Sequence, residues 1–331
     1  MLWLLLFTGL ASCTDQSEIL RTLAGETMGT TYHISYYSQQ NPTLDAPVDS
    51  LLKAVNASLS TYIPSSNISL FNQSDSFAVV DNYFLTNYTK ALEVYRSSGG
   101  YFDMTVMPLV NAWGFGFKKM AGAVDSMLID SLLQFVGSDK LRLSYDTLFK
   151  QLPGVMVDFS ALAKGFGVDE VARLLEARGV HHFMVEIGGE VVTRGNKPDG
   201  TPWQIGIEKP IDDASGQARS IELVVPLKNQ AMATSGNYRN FYIREGRKYA
   251  HEINPKTGYP VEHNLLSATV IAEDCMTADA WATAFMVLGL EKSKAISASM
   301  PNLEVAFIYA DEKGKNQLYL SPGLEKMLAA E

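Results

Sequence analysis

GVMVDFSALAKGFGVDEVARLLEARG, residues 154–179, is the stretch on which the fold turns. Its first seven residues form an apolar run that reads as a strand ending in Asp158. From Ala161 the spacing becomes that of a helix, stopped by Gly179. A strand, then glycines, then a helix invites a dinucleotide-binding reading. That fingerprint needs a third glycine three residues beyond Gly167, and Glu170 stands there. No Gly-Lys-Ser/Thr run occurs anywhere, so a P-loop is excluded as well. What remains is a helix start after Asp158-Phe159-Ser160 whose free N–H groups suit an anion, with a plain Asp or Ser cap as the alternative.

Downstream, strands are expected near 181–187, 190–195, 203–208, 219–226, 231–235, 240–244, 266–272, 304–310 and 316–320, several joined by Gly or Pro turns. Upstream, TMGTTYHISYY (27–37) reads as a strand. Helical spacing follows at Val48–Leu59, at Asn82–Ser98 and over 125–136. GGYFDMTVMPLVNAWGFG (99–116) fits no single period and is either a loop closing over something flat or a structural turn with tucked aromatics. Mixed helices and antiparallel hairpins place the chain in the α+β class, with a smaller helical lobe from the first half.

At 331 residues, 47% hydrophobic and 10% aromatic, the chain can bury an ordinary core. A net charge of −9 without a basic run leaves no nucleic-acid surface. MLWLLLFTGLASC is too short to span a bilayer, and its Leu10-Ala11-Ser12-Cys13 ending resembles a bacterial lipoprotein signal, a buried apolar N-terminal strand being the plain alternative. That resemblance implies cleavage before Cys13, lipidation of its sulfur, a tether over 14–24 and one domain from 25 to 331. It places the protein in the cell envelope, lipid-anchored and facing the periplasm. The two cysteines are Cys13 and Cys275, so no disulfide is expected once the first is acylated.

CMTADAWATAFMVLG (275–289) is almost wholly apolar, yet Asp279 and Thr283 share one helix face. The five histidines, His33, His181, His182, His251 and His263, lack zinc-site spacing. A carboxylate and a hydroxyl are instead the hard donors Mg²⁺ accepts beside phosphate oxygens. The plain alternative is a back-bonded threonine and a capping aspartate. His251 precedes the turn Asn254-Pro255-Lys256-Thr257-Gly258, where an imidazole can either take a proton from a hydroxyl or brace the turn.

TMGTTY (27–32), STY (60–62), PLVNAWGFG (108–116), VDFSALAKGFGVD (157–169), IGGEV (187–191), SGNY (235–238), HEINPKTGYP (251–260) and TADAWAT (277–283) follow one another over most of the chain. This succession resembles the FAD:protein FMN transferases of the ApbE type. The resemblance implies a T-fold-like α/β core that binds FAD and Mg²⁺. It implies flavin contacts at Met28, Tyr62, Ala112, Trp113 and Gly114, and further FAD contacts at Asp158, Lys164 and Ile253. The metal ligands would be the Ala161 carbonyl, Asp279 and Thr283, and His251 is the candidate base. The acceptor it implies is a flavoprotein subunit of a membrane redox complex. Ala282 stands where some members carry a second acid, and Glu190 where an Asp commonly follows the glycine pair. A Mg²⁺-dependent FAD pyrophosphatase and a non-catalytic FAD-binding lipoprotein are the rival readings.

Overall fold

A computed structural model describes residues 18–40, 42–116, 124–210, 220–237, 241–244 and 247–329. Cys13 and the segment expected to be a lipoprotein signal lie outside them.

The chain opens on an antiparallel hairpin, β1 (Ile19–Thr27) and β2 (Thr30–Ser38). Its two-residue turn puts both Met28 and Gly29 at positive φ, the twist that matches right-handed strands. Residues 19–24, expected as tether, therefore belong to a strand, because β2 supplies an unbroken ladder of partners from Ile19 onward. Helices α1 (Asp45–Leu59) and α2 (Asn67–Gln73), strand β3 (Phe77–Val79) and helix α3 (Asn82–Ser97) follow. Then come α4 (Met107–Ala112), α5 (Ser126–Leu133) and the hairpin β4 (Leu141–Ser144) and β5 (Thr147–Lys150). Helix α6 (Ala163–Ala177) leads into β6 (His182–Ile187), β7 (Glu190–Arg194), β8 (Trp203–Glu208), β9 (Ile221–Leu227) and β10 (Ala231–Gly236). A hairpin of β11 (Phe241–Arg244) and β12 (Arg247–Ala250) precedes β13 (Leu265–Ala272). The chain closes with α7 (Cys275–Leu288), α8 (Leu290–Ser297), β14 (Glu304–Ala310), β15 (Asn316–Leu320) and α9 (Pro322–Ala329).

Eight strands form the main sheet in the order β1-β2-β6-β7-β10-β13-β14-β15, every neighbouring pair antiparallel. Both faces of its centre are covered, and the side-chain alternation shows how. Val192, Ala233, Val270 and Phe307 face the helices, whereas their neighbours Val191, Met232, Ile271 and Ile308 pack with the β8–β9 hairpin and α9. This is why the strands read as continuous apolar runs. Helix α7 lies between the sheet and α3, with Thr277 and Thr283 its only residues that are not fully buried, which accounts for an apolar surface all round. The helices of the first half share that core: α1, α2 and α3 contribute Val55, Phe71 and Phe84 to the cluster that contains Trp281 and Phe285. Around α4 and α5 a smaller cluster of Leu109, Trp113, Ile129, Val136 and Ile253 forms.

The expected strand at 154–160 is not paired in a sheet. Val155, Val157 and Phe159 are buried, but their backbone finds side-chain and loop partners instead of a neighbouring strand. Asn72 accepts from Val157 N at 2.7 Å and donates to Val157 O at 2.8 Å, and Asp158 N reaches Met104 O at 2.8 Å. Helix α6 starts at Ala163, two residues later than expected. The unclassified 99–116 segment holds helix α4, whose first turn Pro108 pre-sets.

Candidate active site

The site begins where the first turns of α6 and α7 meet. A Cβ on Gly165 would stand 2.3 Å from the Cys275 carbonyl oxygen and 2.8 Å from Met276 Cα. Only glycine allows that approach, so this residue of KGFG serves helix packing. Asp169 of α6 accepts from Cys275 N and Met276 N at 2.8 and 2.9 Å, and Asp274 accepts from Thr277 N at 2.7 Å. Those three bonds take up free amides of the α7 start. Burial pushes the Asp169 carboxyl up to about 7, although the two amides pull the other way. In return, Gly165 N donates to Asp279 Oδ2 at 3.0 Å.

Asp279 is 2% exposed, one turn into α7. The Lys164 ammonium lies 3.7 Å from its Oδ1 and 3.1 Å from Glu190 Oε1. Burial alone would lower the Lys164 pKa, but the charges of Asp279 and Glu190 raise it well above the ordinary lysine range. Burial raises the Glu190 carboxyl above the ordinary glutamate range against the pull of Lys164. Glu190 starts β7 immediately after Gly188-Gly189, both at positive φ in the two-residue turn from β6. It is 4% exposed, and its Oε2 has no hydrogen-bond partner.

Thr283 lies a further turn along α7, with its Oγ1 3.2 Å from Ser235 Oγ at the end of β10. The Ala161 carbonyl accepts no hydrogen bond among the described residues, since Gly165 N, its natural helical donor, goes to Asp279. A carboxylate, a hydroxyl and an open main-chain carbonyl make a hard-oxygen set that fits Mg²⁺ when a ligand adds phosphate oxygens. No group of three or more His, Cys, Asp or Glu suited to a metal occurs among the described residues, so a cation here needs those other donors.

These groups line a cleft of ≈ 1080 Å³. That is just above the ~300–1,000 Å³ usual for small-molecule sites, room for an extended ligand. Ala161, Asp279 and Thr283 line it together with Asp158 and Lys164. Tyr62, Gly114, His251 and Ile253 line it too, with Tyr62 75% exposed and His251 edge-on to Phe115 at 6.3 Å. Asp158 accepts from Ser160 N and Oγ at 2.9 and 3.0 Å, and desolvation raises its pKa despite them.

Met28, Ala112 and Trp113 stand behind the lining. Met28, in the β1–β2 turn, packs on α6, its Cε 2.7 Å from where a Cβ on Gly167 would be. Trp113 is buried, donates from Nε1 to Gly258 O at 2.8 Å and leans on Tyr259 at 5.8 Å between ring centroids. It ties the 99–116 segment to the turn after His251.

Sequence reasoning passed over Asp103 and Ser235, both of which line the cleft. Asp103 accepts from Thr105 N, Thr105 Oγ1 and Ser138 Oγ at 2.8, 2.6 and 2.8 Å and so fastens the aromatic segment. Burial raises its pKa against those bonds. The available signal was a lone acid in an otherwise apolar and aromatic run.

Residues 28–307 match the ApbE family. The FAD:protein FMN transferase of Haemophilus influenzae is 40% identical over 318 residues, covering 92% of this chain and 90% of that protein. The Vibrio cholerae FAD:protein FMN transferase is 39% identical, covering 97% and 96% respectively. Among solved structures, the flavinyl transferase ApbE of Pseudomonas stutzeri superposes with a TM-score of 0.84 at 32% identity, covering 95% of this chain and 98% of that one. With a cleft whose acidic and hydroxyl groups are held by two abutting helix starts, and with relatives alike over nearly their whole length, the chain belongs to the ApbE family.

Proposed function

We propose that this protein is an FAD:protein FMN transferase. A hydroxyl of an acceptor flavoprotein attacks the FMN-side phosphorus of FAD, the bond to the AMP-side bridging oxygen breaks, and AMP leaves. The acceptor keeps FMN through a new phosphoester, and the hydroxyl proton passes to the His251 imidazole. The observation that carries this reading is the buried Asp279, pinned by the Gly165 amide and facing Lys164 at the cleft surface.

Lys164 supplies a fixed positive charge for the diphosphate. Its two acidic neighbours keep it protonated and hold its ammonium within reach. Asp279, Thr283 and the Ala161 carbonyl would hold Mg²⁺, which when bound neutralises negative charge on the diphosphate oxygens. Exposed Tyr62 offers an aromatic face at the cleft for the flavin, with Gly114 and Ile253 lining the same space and Asp158 beside them. Trp113 supports that wall by bonding Gly258, with Ala112 next to it and Met28 bracing α6 from the other side. The Leu10-Ala11-Ser12-Cys13 sequence supports lipidation at Cys13, with anchorage in the envelope facing the periplasm, where a membrane redox subunit would be the acceptor.

Incubation with FAD, Mg²⁺ and a periplasm-facing flavoprotein subunit, followed by mass spectrometry, tests this. The expected result is an acceptor heavier by one FMN on a Thr or Ser, with stoichiometric AMP. Fast FMN and AMP release without any acceptor would make the protein a hydrolase instead, and absence of AMP under both conditions would make it a flavin carrier.

A further inference from the structure

Glu252 is 5% exposed and lines the active cleft, yet neither carboxylate oxygen has a hydrogen-bond partner. Among the described residues its charged neighbour is His251, whose Nδ1 lies 3.4 Å from Oε2. Successive side chains of an extended strand point to opposite faces. The backbone bends at His251, after β12 and before the Ile253–Pro260 bridge, and that bend brings the two neighbours together. Phe115 packs edge-on against the imidazole and limits its rotation. A buried carboxylate demands a partner. An imidazole needs something to select which nitrogen carries the proton.

We propose that Glu252 is the positioning residue of His251: its carboxylate takes the Nδ1–H, fixes that tautomer, and leaves Nε2 as the acceptor facing the cleft. This rests on His251 acting as the base proposed above. A contact of 3.4 Å is long for a hydrogen bond, and such contacts commonly tighten once substrate closes the site. No bond forms or breaks at Glu252 itself. It holds the ring while the proton passes to Nε2, and in the resulting imidazolium it faces the new positive charge.

The test combines turnover with ¹⁵N NMR of histidine-labelled full-length protein, the His251 signals being assigned by their loss in His251→Gln. Glu252→Leu fills the buried space without an acceptor. The expected outcome is a kcat lower by roughly 10- to 100-fold, as for other residues that orient a catalytic or metal-binding group. KM for FAD should stay within about twofold, and the His251 signals should move from the Nδ1–H toward the Nε2–H pattern. Glu252→Gln keeps a weaker acceptor and should fall between wild type and Leu in both readouts; it alone decides the matter should the Leu variant not fold. A raised KM for FAD at unchanged kcat would make Glu252 a ligand contact and overturn the proposal. So would an unchanged His251 spectrum in either variant. If His251→Gln retains full turnover, the base assignment fails, while the spectra still report whether Glu252 orients the ring.

Discussion

Gly165→Ala sets two effects of opposite sign against each other. Alanine is the better helix former by at most ~1 kcal/mol, and Gly165 is not at positive φ, so local propensity favours the change. Against it stands the Cβ position 2.3 Å from the Cys275 carbonyl oxygen, when ordinary contact begins at 3.4 Å. The obstacle is backbone of α7, which cannot rotate away, so the two helix starts must separate by about 1 Å. Overpacking of this kind costs ~1–3 kcal/mol, and backbone against backbone belongs at the upper end. A net loss of about 2 kcal/mol, set against an unfolding entropy of ~2.1 cal/mol/K per residue over 331 residues, lowers Tm by about 3 °C. The same separation breaks the 3.0 Å bond from Gly165 N to Asp279, leaving the carboxylate displaced by a distance that typically costs ~100-fold in rate. Thermal melting by circular dichroism and AMP release at saturating FAD across a Mg²⁺ titration read both consequences. A variant that melts at or above the wild-type temperature and keeps its Mg²⁺ response would refute the claim that close helix approach sets the site.

Asp169 links stability to pH. Its folded pKa of about 7 lies above the ordinary 3.8, so the native state retains a proton that the unfolded chain releases. Its stabilisation is complete below pH ~4 and is lost as pH rises toward 7; urea unfolding at several pH values should show that decline, flattened in Asp169→Asn. Trp113→Phe leaves the Gly258 carbonyl without its 2.8 Å donor, and the expected cost is ~1–2 kcal/mol, read as a lower urea midpoint at unchanged m-value. Tyr62→Ala, at an exposed position, should leave Tm within about 1 °C but weaken FAD binding by up to ~10-fold if the ring stacks on the ligand, a shift measurable by flavin fluorescence. Asp279→Ala should abolish AMP formation while FAD still binds; full turnover in that variant would remove Asp279 from the chemistry.

Much of the architecture was legible from local spacing. The α7 helix, the run of strands from β6 to β10 and the closing β14 and β15 fall within a residue or two of their expected bounds, because β6 and β8 alternate with period 2 and the others are apolar runs bounded by Gly, Pro or Asp. The exclusion of a dinucleotide fold likewise needed only Glu170. The 154–160 run misled because an alternating buried segment looks the same whether its partner is a strand or the side chain of Asn72, 85 residues away. Helix α4 escaped notice because six residues are too few to establish a period.

The individual site residues could be nominated from the sequence, and the polar pair on an apolar helix was visible there as an anomaly. What they do to one another was not. Gly165 and Asp279 are joined across 114 residues, Lys164 meets Glu190 only because a glycine turn delivers it, and Trp113 reaches Gly258 across 145. The sequence by itself determined the elements and the chemistry each could offer, since those depend on residue type and short-range spacing. Tertiary structure decided which donors face the cleft, which are buried behind it and which charges share one low-dielectric pocket, because desolvation and Coulomb interaction act through space.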